Sequence, residues 1–345
     1  MRVAVVLFNL GGPGSLDDVE PFLFNLFNDG AIIRLPQPLR WLVAKLISRR
    51  RAPIAREIYM KLGGSSPILG QTYTQSSALQ AALAGTEDHY ECFVAMRYSS
   101  PRALDIVEQV KRFRPNKVVL LPLYPQFSTT TSRSSAREWA QVSRERKFQA
   151  PTVSLCCYPV NGGFIEAYRD LIAQTLSTLA PNVKYRILFS AHGLPESVIR
   201  SGDPYQAQVE HSAAAVVQGL NIEGLDWRVT YQSRVGPMKW IGPSTDDEIR
   251  VAGKEGKSLV VVPIAFVSEH SETLVELDME YAHLAAESGV PTYHRVPTVG
   301  THPAFIAGLA NLVKQVAGKT GTTADGGQRL CPGTCRQCAI GGQPA

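Results

Sequence analysis

Lys117-Val118-Val119-Leu120-Leu121-Pro122-Leu123-Tyr124-Pro125-Gln126-Phe127 and its echo Ser258-Leu259-Val260-Val261-Val262-Pro263-Ile264-Ala265-Phe266-Val267-Ser268 decide the fold. Each is a short run of branched apolar residues that meets a proline and passes into a more polar loop. Runs of this length between turn residues read as strands buried on both faces. Similar runs lie outward from these two. Val3–Phe8, Cys92–Arg97 and Val153–Cys157 precede residue 160. Arg186–Ser190, Trp227–Tyr231 and Thr292–Val296 follow it. Most are separated by stretches long enough for a crossover helix. The alternation predicts an α/β protein with parallel sheets, built as two similar halves around a central cleft. The expected division is 1–160, 161–316 and a cysteine-containing tail, 317–345, that starts with the linker-like Thr320-Gly321-Thr322-Thr323. In such folds ligands bind outside the carboxyl ends of the strands, so the loops there are where chemistry is sought.

Composition narrows the classes. The chain has 345 residues, 44% of them hydrophobic and 19% charged, which permits a real core and argues against disorder. No apolar run is long enough for a spanning helix. Lys and Arg exceed Asp and Glu by 35 to 30, a net charge of +5, too little for a dedicated nucleic-acid binder. The start, Met1-Arg2 before Val3–Phe8, reads as a first strand rather than a signal peptide, and a cytoplasmic setting is expected. Structural disulfides are then not expected. Asn9-Leu10-Gly11-Gly12-Pro13-Gly14 follows that strand, but Asp17 stands where a dinucleotide fingerprint needs its third glycine. A tight turn is the better reading than a phosphate cradle.

Two elements carry candidate chemistry. His192 sits in Ser190-Ala191-His192-Gly193-Leu194-Pro195 at a strand's carboxyl end. Beyond the second quoted run, Glu269, His270, Glu272, Glu276 and Glu280 fall on an expected helix, with Glu272, Glu276 and Glu280 four apart on one face. Like charges at that spacing repel by roughly 0.2–0.5 kcal/mol per pair. The helix dipole favours acids only in the first turn. A solvated acidic face is one reading; a carboxylate path for a cation or for protons is the one favoured here.

These segments resemble a family in combination. Leu7-Phe8-Asn9-Leu10-Gly11-Gly12-Pro13, Met96-Arg97-Tyr98, Leu123 to Ser128, Ser190 to Pro195, Gly202-Asp203-Pro204-Tyr205, Gln232 to Pro243 and Phe266 to Asp278 together look like ferrochelatase, over roughly residues 3–316. The resemblance implies two Rossmann-like halves and insertion of ferrous iron, the metal substrate, into protoporphyrin IX. A cobalt chelatase of corrin synthesis and a non-catalytic tetrapyrrole or metal carrier are the competing functions. By resemblance His192 and Glu272 are catalytic. The same two, with Glu276 and His270, handle metal. Arg97, Tyr98, Tyr124, Ser128, Thr130 and Trp240 bind porphyrin. The first loop lacks the tyrosine typical of coproporphyrin-type relatives, which resembles the protoporphyrin type. A homodimer is an assembly the resemblance allows.

Two segments remain. Pro38 to Arg51 puts Leu39, Leu42, Val43, Leu46 and Ile47 on one helical face, flanked by Arg40, Lys45 and Arg49 to Arg51. That pattern suits a helix lying on an anionic bilayer, here the inner face of the membrane, or one packed on the protein with a basic outer side. Cys331, Cys335 and Cys338 form C-x3-C-x2-C. Three thiols so close in a cytosolic chain point to metal, and both zinc and iron–sulfur sites want a fourth ligand. Cys157, with Cys156 as its alternative, is the obvious donor; Cys92 reads as an inert core residue. Some ferrochelatases resemble this in carrying a [2Fe–2S] cluster on tail cysteines and one internal cysteine, whose usual position corresponds to Thr129 here.

Overall fold

A computed structural model describes all residues except Val235, Pro237 and 342–345. The chain forms two compact units, residues 1–157 with 310–324, and 158–309 with 325–345. The first holds a sheet of β1 (Arg2–Asn9), β2 (His89–Met96), β3 (Lys117–Pro122), β4 (Thr152–Leu155) and β9 (Gly321–Thr323). Their order is β2-β1-β3-β4-β9, and every pairing is parallel. The second unit holds β5 (Tyr185–His192), β6 (Trp227–Gln232), β7 (Ser258–Val262) and β8 (Tyr293–Arg295), in the order β6-β5-β7-β8, also all parallel.

The apolar runs explain the centre of each sheet. Val3 to Phe8 are buried throughout, because β1 has a neighbour on each side and helices over its faces. The two quoted runs become β3, the middle strand of five between β1 and β4, and β7, an interior strand between β5 and β8. Three expectations change. The run Leu259–Phe266 stops as a strand at Val262, since Pro263 has no N–H and Ile264 N bonds back to Val262 O at 2.9 Å. The strand expected to end at Ser190 extends to His192. The linker-like Gly321–Thr323 instead pairs with Val153 to Leu155 and completes the first sheet, so the tail does not begin as a separate segment at 317.

The loop after β1 is a packed turn. Gly11 has φ +87°, and a Cβ there would lie 2.3 Å from Ser99 Oγ. A Cβ on Gly12 would lie 2.5 Å from Ser66. Ser66 N donates to Pro13 O at 2.8 Å, and Gly12 N donates to Ser99 Oγ at 3.1 Å. The glycines let two serine loops close on the strand end.

Beyond β7 the chain runs through a loop whose Pro263 and Phe266 carbonyls lie 2.6 and 2.8 Å from the buried Tyr168 hydroxyl. It then enters a ten-residue π-helix, Glu272–Tyr281, where an α-helix was expected. Glu280, expected to continue the acidic row, is exposed.

Candidate active site

His192 is the last residue of β5 and lies opposite Gln232, the last of β6. Its Nδ1 is 2.6 Å from Gly193 O. A carbonyl can only accept, so Nδ1 carries a proton, and in the neutral form of the ring Nε2 presents a lone pair. The turn needs Gly193, because a Cβ there would meet Gln232 O at 2.9 Å and the Trp240 ring at 3.3 Å. Trp240 is held beside that turn by Ile241 N to Leu194 O, 3.0 Å, and Glu196 N to Lys239 O, 2.9 Å.

Nε2 of His192 faces Glu272 Oε1 at 3.7 Å, and Nε2 of His270 faces Glu272 Oε2 at 3.5 Å. The carboxylate thus lies between two imidazoles. His270 is buried, with its ring 4.8 Å from that of Phe266. Burial alone would push the Glu272 carboxyl up. The charges of His192 and His270, with a hydrogen bond from His270, outweigh it and hold the value at about 2. When the imidazoles are neutral that support is gone, and the half-buried carboxylate calls for another cation.

One turn on, Glu276 is bound by four donors. Gln232 Nε2 reaches Oε2 at 3.0 Å and Ser233 Oγ reaches it at 2.5 Å. Ser233 N reaches Oε1 at 2.8 Å, and the Tyr281 hydroxyl reaches it at 3.2 Å. Ser190 Oγ donates to Gln232 Oε1 at 2.8 Å, which turns the Gln232 amide nitrogen toward Glu276. Ser233 has φ +60°, a left-handed conformation that aims both its donors at one carboxylate. Even so, burial and the neighbouring Glu272 charge raise the Glu276 carboxyl above its ordinary value. Two adjacent carboxyls pushed in opposite directions can divide the roles of charge and proton carrier. Among the described residues no three of His, Cys, Asp and Glu are arranged as a ready-made metal site.

The residues expected to fix a porphyrin in the first unit are otherwise occupied in part. Arg97, just past β2, places Nη2 2.8 Å from Asp29 Oδ2, Nη1 3.1 Å from Glu138, and Nε 2.8 Å from Ser134 Oγ. Its fork is committed to protein carboxylates, so it does not offer the free bidentate face a propionate would need. The buried Tyr98 donates to the same Asp29 oxygen at 2.8 Å. Burial opposes ionisation of Asp29, but the Arg97 charge and the Ser134 and Tyr98 hydroxyls hold its carboxyl below the usual range. Ser128 and Thr130 are buried with their hydroxyls 2.8 Å apart, and Tyr124 packs against the core over β1 and β3. Sequence reasoning missed Asp29, Gln232 and Ser233. Asp29 in Asn28-Asp29-Gly30 looks like an ordinary turn, and nothing local ties it to Arg97. For the other two the signal was present, since both lie in a quoted motif at a strand's carboxyl end.

In the tail, Cys331, Cys335 and Cys338 are buried together with Ala207 and Ile340 against them. Gln208 Nε2 lies 3.0 Å from Cys331 Sγ. Arg329 donates to the carbonyls of Cys331, Pro332 and Cys335 at 3.1, 2.7 and 3.0 Å, which curls the segment around its guanidinium. Burial, the leading effect, pushes the Cys335 thiol up. The segment docks through Gln337, which donates to Ser201 O at 2.9 Å and, from its backbone, to Gly202 O at 3.0 Å. Cys156 and Cys157 follow β4 in the first unit, both buried, with sulfurs 3.2 Å apart.

Comparison with known proteins is consistent across most of the chain. The ferrochelatase family profile matches residues 2–317. A protein of Phenylobacterium zucineum named ferrochelatase is 52% identical over 341 residues, covering 98% of each chain. One of Pelagibacter ubique with the same name is 53% identical over 315 residues, 91% of each. Among solved structures, SirB from Bacillus subtilis with Fe3+ superposes with a TM-score of 0.54 at 12% identity, over 92% of this chain and 96% of that one. That likeness concerns the fold, which is chelatase-like. With the family profile spanning β1 to β8 and the His192 and π-helix segments, the chain belongs to the ferrochelatase family.

Proposed function

We propose that the chain inserts ferrous iron into protoporphyrin IX to give protohaem. The observation that carries this is the imidazole of His192 facing Glu272, with Glu276 behind it in a net of donors. A free-base porphyrin must lose two pyrrole protons as a dication enters. The Nε2 lone pair of His192 is placed to take a proton, since Nδ1 is already committed to Gly193 O. The Glu272 carboxylate stabilises the imidazolium that forms. Glu276, whose carboxyl is raised, receives protons more readily than its neighbour and leads away along the helix. Ferrous iron is a substrate here, and Glu272 and Glu276 with His270 and His192 are its proposed handling residues. For the porphyrin, Tyr98, Tyr124, Ser128, Thr130 and Trp240 remain proposed contacts, with Arg97 acting through its network with Asp29. Anaerobic incubation with protoporphyrin IX and Fe2+ should shift the Soret band with multiple turnovers. Stoichiometric binding without turnover would instead mark a carrier. Turnover only with Co2+ and a corrin precursor would mark a cobalt chelatase.

The same reading includes a peripheral place on the inner face of the membrane. The helix Leu39–Met60 turns Ala44, Ser48, Ala52 and Tyr59 inward. It leaves Leu39, Trp41, Leu42 and Leu46 exposed, Leu46 at 70%. Val43 and Ile47, expected on the same apolar face, are partly buried. Lys45 and Arg49 share Glu20, Arg50 is exposed beside the apolar row, and the exposed Arg51 places its guanidinium 5.9 Å from the centre of the Phe27 ring. No described helix is long and apolar enough to cross a membrane. Vesicles containing about one third anionic lipid should bind the protein at low salt and release much of it at 1 M salt, where the screening length is about 3 Å. Leu42→Glu with Leu46→Glu should reduce the bound fraction at least about ten-fold. Equal binding by parent and variant would remove this helix from the membrane contact. A homodimer belongs to the same reading, and the mass in solution decides it.

A [2Fe–2S] cluster on Cys331, Cys335, Cys338 and Cys157, with Cys156 as the alternative fourth ligand, completes the proposal. Its support is that the three tail thiols are buried in one cluster, with Gln208 donating toward the Cys331 sulfur. When bound, a cluster supplies a one-electron centre and a thiolate crosslink.

A further inference from the structure

We infer that Arg295 is a positioning residue that holds the π-helix in the phase that puts Glu272 against His192 and Glu276 against Ser233. A π-helix closes i→i+5 turns and usually lasts a single turn inside an α-helix. Ten residues of it, Glu272–Tyr281, need something outside the segment to keep them from tightening to 3.6 residues per turn. Tightening would rotate the far end and carry Glu276 and Tyr281 away from the partners they now meet.

The holding element is β8. Its Tyr293 hydroxyl donates to the Leu277 carbonyl at 2.8 Å, inside the π-helix. Two residues on, the Arg295 fork takes both oxygens of Asp278, Nε to Oδ1 at 2.6 Å and Nη2 to Oδ2 at 2.7 Å. The remaining nitrogen, Nη1, reaches Glu269 Oε1 at 2.5 Å. Glu269 is fixed from a second side by Thr298 N at 3.0 Å. One guanidinium therefore ties down a residue three positions before Glu272 and another two positions after Glu276. Its side chain is only 12% exposed, so water does little to loosen the grip. A planar three-point fork is something a lysine ammonium cannot reproduce. None of these atoms touches substrate in the proposed reaction, so the action runs through the acids they bracket.

The inference rests on the chelatase reading for its kinetic consequence but not for its structural one, and the experiment separates the two. Arg295→Lys keeps the charge and loses the fork; Asp278→Asn keeps the arginine and weakens one end, and serves if the first variant folds poorly. Hydrogen–deuterium exchange in the intact chain should speed up at least about ten-fold across 272–281 while the first unit's sheet is unchanged. In steady-state assays kcat should fall at least about ten-fold, with the KM for porphyrin within about two-fold of the parent. A purely structural residue would lower the melting temperature and leave kcat per folded molecule alone; that result overturns the proposal. So does unchanged exchange across 272–281, even with slowed turnover. If the parent shows no metal insertion at all, the proposed function fails, and the exchange measurement still decides the clamp.

Discussion

Replacing His192 with alanine is expected to slow metal insertion by about 10²–10⁴-fold, the range a positioned acid–base group contributes. Folding and porphyrin binding should survive. The ring is 38% exposed, and its Nδ1 hydrogen bond runs to the carbonyl of its own neighbour, Gly193. Losing such a bond costs about 1 kcal/mol. Porphyrin binding, read by fluorescence, should stay within about three-fold, because the macrocycle's area and not one imidazole sets its affinity. Glu272→Gln makes the argument sharper. It keeps the side chain's shape between His192 and His270 but removes the charge that would stabilise an imidazolium. If His192 and Glu272 act as one unit, each single change should cost nearly as much as the double, far from additive. Turnover near normal in His192→Ala would take this residue off the catalytic list. Cleanly additive losses would mean that the two act in separate steps.

Much of this site could be read before any coordinates. Six apolar residues, Val3 to Phe8, required a strand covered on both faces, and β1 is an interior strand buried throughout that run. His192 had to be sought at a strand tip, and the acids four apart had to share a side. What could not be read depends on distance or on backbone choice. Gly321–Thr323 has no apolar run, and three residues pair as a strand only because β4 leaves an edge free. Arg97 carries the family's motif, yet the carboxylates that occupy it lie 68 and 41 positions away, at Asp29 and Glu138. Glu280 is exposed, and the acids lie on a π-helix whose contacts with β8 no local pattern encodes. The helix Leu39–Met60 shows the opposite case. Its apolar row was legible, and so was the alternative of packing it inward; small residues one turn apart, Ala44, Ser48 and Ala52, settle which side faces the protein.

Cys335→Ser is expected to abolish the visible absorption of the purified protein and its bound iron and sulfide, with more than about 90% of the chromophore lost, since a cluster with three protein thiolates is rarely retained. The middle cysteine is the most informative. Its backbone N–H closes a turn onto Pro332 O at 3.0 Å, and its carbonyl accepts from Cys338 N at 3.0 Å and from Arg329 at 3.0 Å. Serine can keep all of those backbone bonds, so the loss of colour reports the sulfur and not the turn. Buried thiols without metal would be inert and their serine variants nearly silent, because the thiol is a weak hydrogen bonder and the volume change is small. The fourth ligand separates in the same assay. If Cys157 serves, Cys157→Ser bleaches the protein while Cys156→Ser leaves its spectrum within about 10% of the parent, and the reverse pattern assigns Cys156. A colourless parent that carries about one zinc per chain would end the cluster proposal and leave the same four sulfurs as a structural zinc site, which also takes four ligands. Colour that survives all three substitutions would place the chromophore elsewhere in the chain.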